Sequence, residues 1–204
     1  MKIGIIGIGN IGATLGRSWA AAGHEVVFGV RSTRAPKVVD VLDSLDGQAQ
    51  AKPVTQAIRA SEVVLLAIPG KAVDDFIRAN ATELKDRIVV DATNNFGQPE
   101  LHNVSLLQGG LPQSKVYRAF STLAWETYAD PDFGDESADL FYCGDEGQSR
   151  VVMDGLIKDI GLRPIYVGGP ETVPLLDQMT RLWFTLVMSR GYERRTAFRL
   201  LTAE

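Results

Sequence analysis

The 204 residues carry 21 Lys and Arg against 25 Asp and Glu, a formal charge of −4, with 45% hydrophobic and 23% charged residues. These are the proportions of a soluble globular protein, and no Lys/Arg-rich block offers the electrostatic footprint of a nucleic-acid or anionic-membrane binder. A lone cysteine, Cys143, excludes an internal disulfide framework and suits a reducing compartment; His24 and His102 lie too far apart in sequence to give a metal-ligand spacing.

Met1-Lys2-Ile3-Gly4-Ile5-Ile6 starts basic and then apolar, but glycines cut the run and no small-residue cleavage site follows. No stretch approaches the roughly 20 apolar residues of a membrane span. A cytoplasmic protein is expected. Residues 2–6 read as an apolar strand broken at Gly7, residues 11–22 as a helix stopped by Gly23, and residues 25–30 as a second strand. A helix-capable segment covers 32–45 with Pro36 in its first turn; weak strand signal at 51–54 precedes a short helix at 55–60.

Val63-Val64-Leu65-Leu66-Ala67-Ile68 is apolar throughout, the mark of a strand buried on both faces of a parallel sheet. Then follow a helix at 71–81, a strand at 87–91, a helix at 104–109 and a strand at 115–120. After an Asp- and Pro-containing loop at 128–136 come a strand at 139–143, a helix at 147–160, a strand at 163–167 and a long helix at 171–190. Strands and helices alternating at this spacing predict an α/β fold: a doubly wound, Rossmann-type, mostly parallel sheet, extended by further C-terminal strands and a long helix. One domain, 1–204, is expected, with 128–136 as the candidate subdivision.

The turn Gly7-Ile8-Gly9-Asn10-Ile11-Gly12 leaves a strand and opens a helix, the context in which GxGxxG binds a dinucleotide. Gly7 allows the tight turn, Gly9 lets the backbone approach the pyrophosphate, and Gly12 lets helix pack closely on strand. The free N–H groups and positive dipole end at Asn10, Ile11 and Gly12 complete an anion site. NAD-preferring sites place an acid at the end of the second strand to bind the ribose hydroxyls. Here that position reads Val30-Arg31-Ser32-Thr33-Arg34, with no acid, so Arg31, Ser32 and Arg34 are expected to hold the 2′-phosphate of NADP(H).

The carboxyl ends of the later strands should line the nicotinamide: Ile68-Pro69-Gly70, Thr93-Asn94-Asn95 and Ser121-Thr122-Leu123-Ala124-Trp125. Ile68, Pro69, Asn94, Thr122 and Ala124 are the expected contacts, with hydroxyls and amides for the carboxamide or ribose and with Pro69, Phe120 and Trp125 as apolar walls. These strand ends present no His, Lys or Tyr as a general acid. Hydride exchange between two heterocycles needs ring positioning and exclusion of water more than acid–base help, which favours a flavin-like acceptor. No catalytic side chain and no metal ligand are assigned. Cys143 is expected to be a buried small hydrophobe.

With these residues assembled, the chain resembles the deazaflavin (coenzyme F420):NADP oxidoreductase family and, more distantly, the reductase domain of the STEAP proteins. The resemblance rests on Met1–Gly12, Val27-Phe28-Gly29-Val30-Arg31, Ala67-Ile68-Pro69, Arg118-Ala119-Phe120-Ser121-Thr122, Cys143-Gly144-Asp145 and Gly161-Leu162-Arg163-Pro164 with Gly168-Gly169-Pro170. It implies NADP(H), a deazaflavin or flavin as second substrate, and a homodimer. Two alternatives stay open at this level: a reductase of small imines or carbonyls, and a non-catalytic NADP(H)-binding sensor.

Overall fold

The computed structural model describes residues 1–203. The apolar segments form β1 (Lys2–Ile6), β2 (Glu25–Val30), β3 (Ala49–Pro53), β4 (Val63–Leu66), β5 (Ile88–Asp91) and β6 (Lys115–Arg118), all parallel. With β9 (Asp139–Gly144) and β10 (Arg163–Tyr166) they make one eight-stranded sheet, ordered β10-β9-β6-β5-β4-β1-β2-β3. The chain winds outward from β1 to β3, then returns to the other side of β1 for β4. A doubly wound sheet opens its ligand crevice at such a reversal.

Helices cover both faces. On one side α1 (Asn10–Ala21), α2 (Pro36–Asp43), α6 (Trp125–Ala129) and α7 (Gln148–Lys158) bury Leu15, Trp19, Val38, Tyr128 and Leu156 against Ile3, Ile5 and Phe28. On the other, α3 (Val54–Arg59), α4 (Val73–Leu84), α5 (Val104–Gly110) and α8 (Val173–Phe184) bury Ile58, Phe76, Leu107 and Leu176 against Val64, Leu66 and Val89. β4 is buried at every position, which is why its sequence shows no alternation. No helix among the described residues is long and apolar enough to cross a membrane.

Three features depart from the sequence reading. β9 runs antiparallel to β6, and β10 follows β9. A parallel crossover must carry the chain back along the sheet, which takes a dozen residues or more and usually a helix. The connection from β6 offers only α6, five residues long, and a helix that short rises about 7 Å. The chain therefore stays at the carboxyl end and the next strand descends from there. Within the loop at 128–136 lies a hairpin, β7 (Asp132–Phe133) with β8 (Glu136–Ser137), whose turn is closed by Asp132 accepting the Gly134 amide at 2.8 Å. Finally, the helix expected over 171–190 divides into a 3-10 turn (Pro170–Thr172), α8, and a π turn (Thr185–Ser189).

The C-terminal segment closes the antiparallel edge. The Asp139 amide donates to Phe198 O at 2.9 Å, the buried Asp139 carboxylate accepts Arg163 at 2.6 and 2.8 Å, and it also accepts the Leu200 amide at 2.6 Å. Trp183 Nε1 donates to Thr196 O at 2.7 Å. Asp130 and Glu136 pair with Arg195 and Arg199 of this segment.

Candidate active site

The last rung of the parallel ladder runs Gly29, Ile6, Leu66, Asp91, Arg118. Every predicted site residue lies just beyond it, so one ledge at the carboxyl edge carries them all.

At its centre the glycine turn is built as the fingerprint requires. Gly7 has φ +106°, and a Cβ there would stand 2.4 Å from Ala67 O. A Cβ on Gly12 would meet Gly7 O at 2.3 Å, so only glycine lets α1 seat this closely on β1. Gly9 differs: it has φ −71°, and a Cβ on it would meet nothing within 4 Å. Open space lies over the one glycine of the three expected to admit a ligand's close approach. Gly9 caps α1 without a side-chain bond, and no acid occupies the first turn, so the amides of Asn10, Ile11 and Gly12 have no side-chain acceptor.

Beyond β2, Arg31, Ser32, Thr33 and Arg34 are exposed, as is Lys37 in the first turn of α2. Arg31, Arg34 and Lys37 make no ion pair among the described residues. No carboxylate follows Val30 directly. This loop offers an unneutralised cationic surface, suited to a phosphate dianion and lacking the acid that a 2′-hydroxyl would need.

On the other side of β1, Ile68 is half-buried and Pro69 exposed. The loop they begin packs on the one after β5, where Asn95 fits so closely that a Cβ on Gly70 would stand 2.0 Å from Asn95 Oδ1. Thr93, expected to face the ligand, has its hydroxyl engaged within the protein. It donates to Asp91 Oδ1 at 2.6 Å and accepts from Asn103 Nδ2 at 2.7 Å. Asn94 remains half-buried at the ledge.

After β6, Thr122 and Ala124 are buried, and Ser121 Oγ and Thr122 Oγ1 find no partner among the described residues. Phe120 is not the apolar wall expected of it. It is 1% exposed, adopts φ +58°, and packs edge-on against Trp19 at 5.5 Å and Tyr128 at 5.9 Å. A left-handed phenylalanine is strained; here two aromatic neighbours pin it.

The sequence reading did not single out the polar core beneath the ledge. The guanidinium of Arg118, fully buried, lies 3.3 Å from Asp91 Oδ2 and 3.6 Å from Asp177 Oδ1 of α8. It also donates to the carbonyls of Asp91 and Thr93 and to Asn94 Oδ1 at 2.7 Å. Asp91 further accepts the amides of Thr93 at 3.0 Å and Asn103 at 2.8 Å. The signal was present: Arg87–Asp91 and Lys115–Arg118 each end an apolar strand on a charge, and a charge in a buried strand demands a partner. Asp177 carried no such signal, because its helical position becomes internal only through packing.

Beside this loop opens a shallow cleft of about 650 Å³ lined by Asn95, Gln98, Glu100, His102, Asn103 and Leu106. His102 is 8% exposed and its Nδ1 accepts the Val104 amide at 3.1 Å, so the neutral ring carries its proton on Nε2. The strand ends do hold an imidazole nearby, contrary to the sequence reading, brought back by the Asn95–Asn103 loop.

The family model described as NADP oxidoreductase coenzyme F420-dependent matches residues 2–95, from β1 through the loop after β5. The match covers just under half of the chain. The matched stretch includes the glycine turn, Arg31, Ile68, Pro69 and Asn94; Thr122 and Ala124 fall outside it. The rat metalloreductase STEAP3 is 25% identical over 185 residues, 85% of this chain; the chain spans 36% of that relative's length.

Among solved structures, an Arthrobacter sp. FB24 protein described as an F420-dependent NADP-reductase superposes with a TM-score of 0.83 at 22% identity, covering 95% of this chain and 96% of its own. A hypothetical protein of Sinorhizobium meliloti gives 0.71 at 27% identity, with 83% and 85% covered. An imine reductase of Streptomyces aurantiacus gives 0.66 at 16% identity, over 92% of this chain and 62% of its own. At such identities the first and third speak for the fold alone.

Proposed function

We propose that the protein is an NADP(H)-dependent oxidoreductase that moves hydride between the nicotinamide and a deazaflavin or flavin acceptor. The observation that carries the reading is the open space over Gly9 at the uncapped start of α1, one strand away from an acid-free cationic loop. In this reading Gly7, Gly9, Asn10, Ile11 and Gly12 hold the pyrophosphate. Arg31, Ser32 and Arg34 hold the 2′-phosphate through charge-assisted bonds. Ile68, Pro69, Asn94, Thr122 and Ala124 border the nicotinamide end.

The bound dinucleotide supplies the hydride. The chain contributes orientation, a positive environment for the phosphates, and exclusion of water at the buried end of the 119–124 loop. Support for a ring acceptor comes from the match of residues 2–95 to a family model described as F420-dependent.

Anaerobic NADPH oxidation by the pure protein, with the deazaflavin, FMN, FAD, ferric chelates and a cyclic imine supplied in turn, tests it. Turnover with a deazaflavin or flavin is expected. NADPH binding without turnover on any of them would replace the enzyme by a cofactor-binding sensor, and turnover only with an imine would reassign the acceptor.

A further inference from the structure

We propose that Arg118 locks Asn94 as a hydrogen-bond donor toward the nicotinamide half of the cofactor, making Arg118 a positioning residue; this rests on the NADP(H) reading above. A guanidinium has donors and no acceptor. Since an Arg118 Nη sits 2.7 Å from the Asn94 amide, the atom facing it must be Oδ1. A flipped amide would set N–H against N–H. The Asn94 Nδ2 group is thereby turned away from Arg118, and it has no partner among the described residues.

Arg118 cannot drift from this duty. The same guanidinium is tied to the carbonyls of Asp91 and Thr93 and flanked by the carboxylates of Asp91 and Asp177. Elimination leaves Asn94 alone among its neighbours. The Thr93 hydroxyl is spent on Asp91 and Asn103, and Asn95 Nδ2 donates to His102 O and Asn103 Oδ1, both at 3.2 Å. Of the Thr93-Asn94-Asn95 run, only Asn94 offers hydrogens to a ligand. It therefore selects an oxygen acceptor, a ribose hydroxyl or the carboxamide carbonyl of the nicotinamide half.

The test compares Asn94→Ala and Asn94→Asp with the unmodified chain for binding of NADPH and of 2′,5′-ADP, which lacks the nicotinamide half. Arg118 keeps its other oxygen partners in both variants, and thermal unfolding checks that each folds. Asn94→Ala should weaken NADPH binding about tenfold, the size of one hydrogen bond. Asn94→Asp should weaken it at least as much, because its outward atom can only accept. Binding of 2′,5′-ADP should stay within about twofold in both. NADPH binding by Asn94→Asp equal to the unmodified chain would overturn the donor assignment, as would equal losses for NADPH and the fragment. If the unmodified chain binds neither, the cofactor reading falls and this inference falls with it, a result distinguishable from the other two.

Discussion

Asp177 of α8 stands 3.6 Å from the guanidinium of Arg118 on β6 while its other oxygen accepts the Leu101 amide at 2.7 Å, so one carboxylate joins the C-terminal helix, the last parallel strand and the loop after β5. Both side chains are buried. Removing Asp177 strips the buried Arg118 guanidinium of one of its two carboxylates and also leaves the buried Leu101 amide without its acceptor. Asp177→Ala should cost about 3 kcal/mol by this mechanism, and Asp177→Asn, which can still accept from Leu101, about 1 kcal/mol. Urea denaturation of the two variants checks the order; equal costs would mean that the lost charge is the whole effect and the Leu101 contact adds nothing.

The glycines of the turn separate stability from binding. Gly12→Ala drives a methyl group into Gly7 O and should destabilise the chain by about 1–3 kcal/mol, as overpacking does. Gly9→Ala meets no protein atom and should leave the unfolding midpoint nearly unchanged while NADPH affinity drops. Calorimetric binding and thermal unfolding on both variants are the measurements. A loss of stability in Gly9→Ala would show that the space over it is needed by the fold.

Arg31 is exposed and makes no ion pair among the described residues, so Arg31→Ala should not alter stability. It should weaken NADPH binding by about 2 kcal/mol, the scale of a charge-assisted bond, and leave NADH binding almost untouched. Parallel titrations with the two dinucleotides decide this. Equal losses would remove the 2′-phosphate from this loop.

Alkaline pH should loosen the core. Burial pushes the Cys143 thiol up to about 11, and burial likewise pushes the Tyr117 phenol up to about 12. A group whose folded pKa lies above its unfolded one stabilises fully below the unfolded value and ceases to do so as pH climbs toward the folded value. The denaturation midpoint should thus fall between about pH 9 and 11, with Cys143 contributing on the order of 2 kcal/mol. Cys143→Ala should fall less steeply. At pH 8 a thiol reagent should label Cys143 only when the chain is unfolded; rapid labelling of the native protein would contradict its burial.

Much of the fold was legible because its signals are local. Continuous apolar runs such as Val63–Leu66 announce strands covered on both faces, and the glycines at 7, 9 and 12 announce a backbone that must turn and be approached closely. The missing acid after Val30 is equally a property of adjacent residues. These determined the parallel core, the dinucleotide turn and the cationic loop by themselves. What the linear pattern could not carry were relations between distant segments. The descent of β9 depends on how short α6 is against the length of the sheet. Phe120 turns inward because Trp19 and Tyr128 receive its ring there. Thr93 is consumed, and Asn94 set free, only because Arg118, Asp91, Asn103 and Asp177 converge. A buried charge must find its partner wherever packing brings one, and that choice belongs to the tertiary structure.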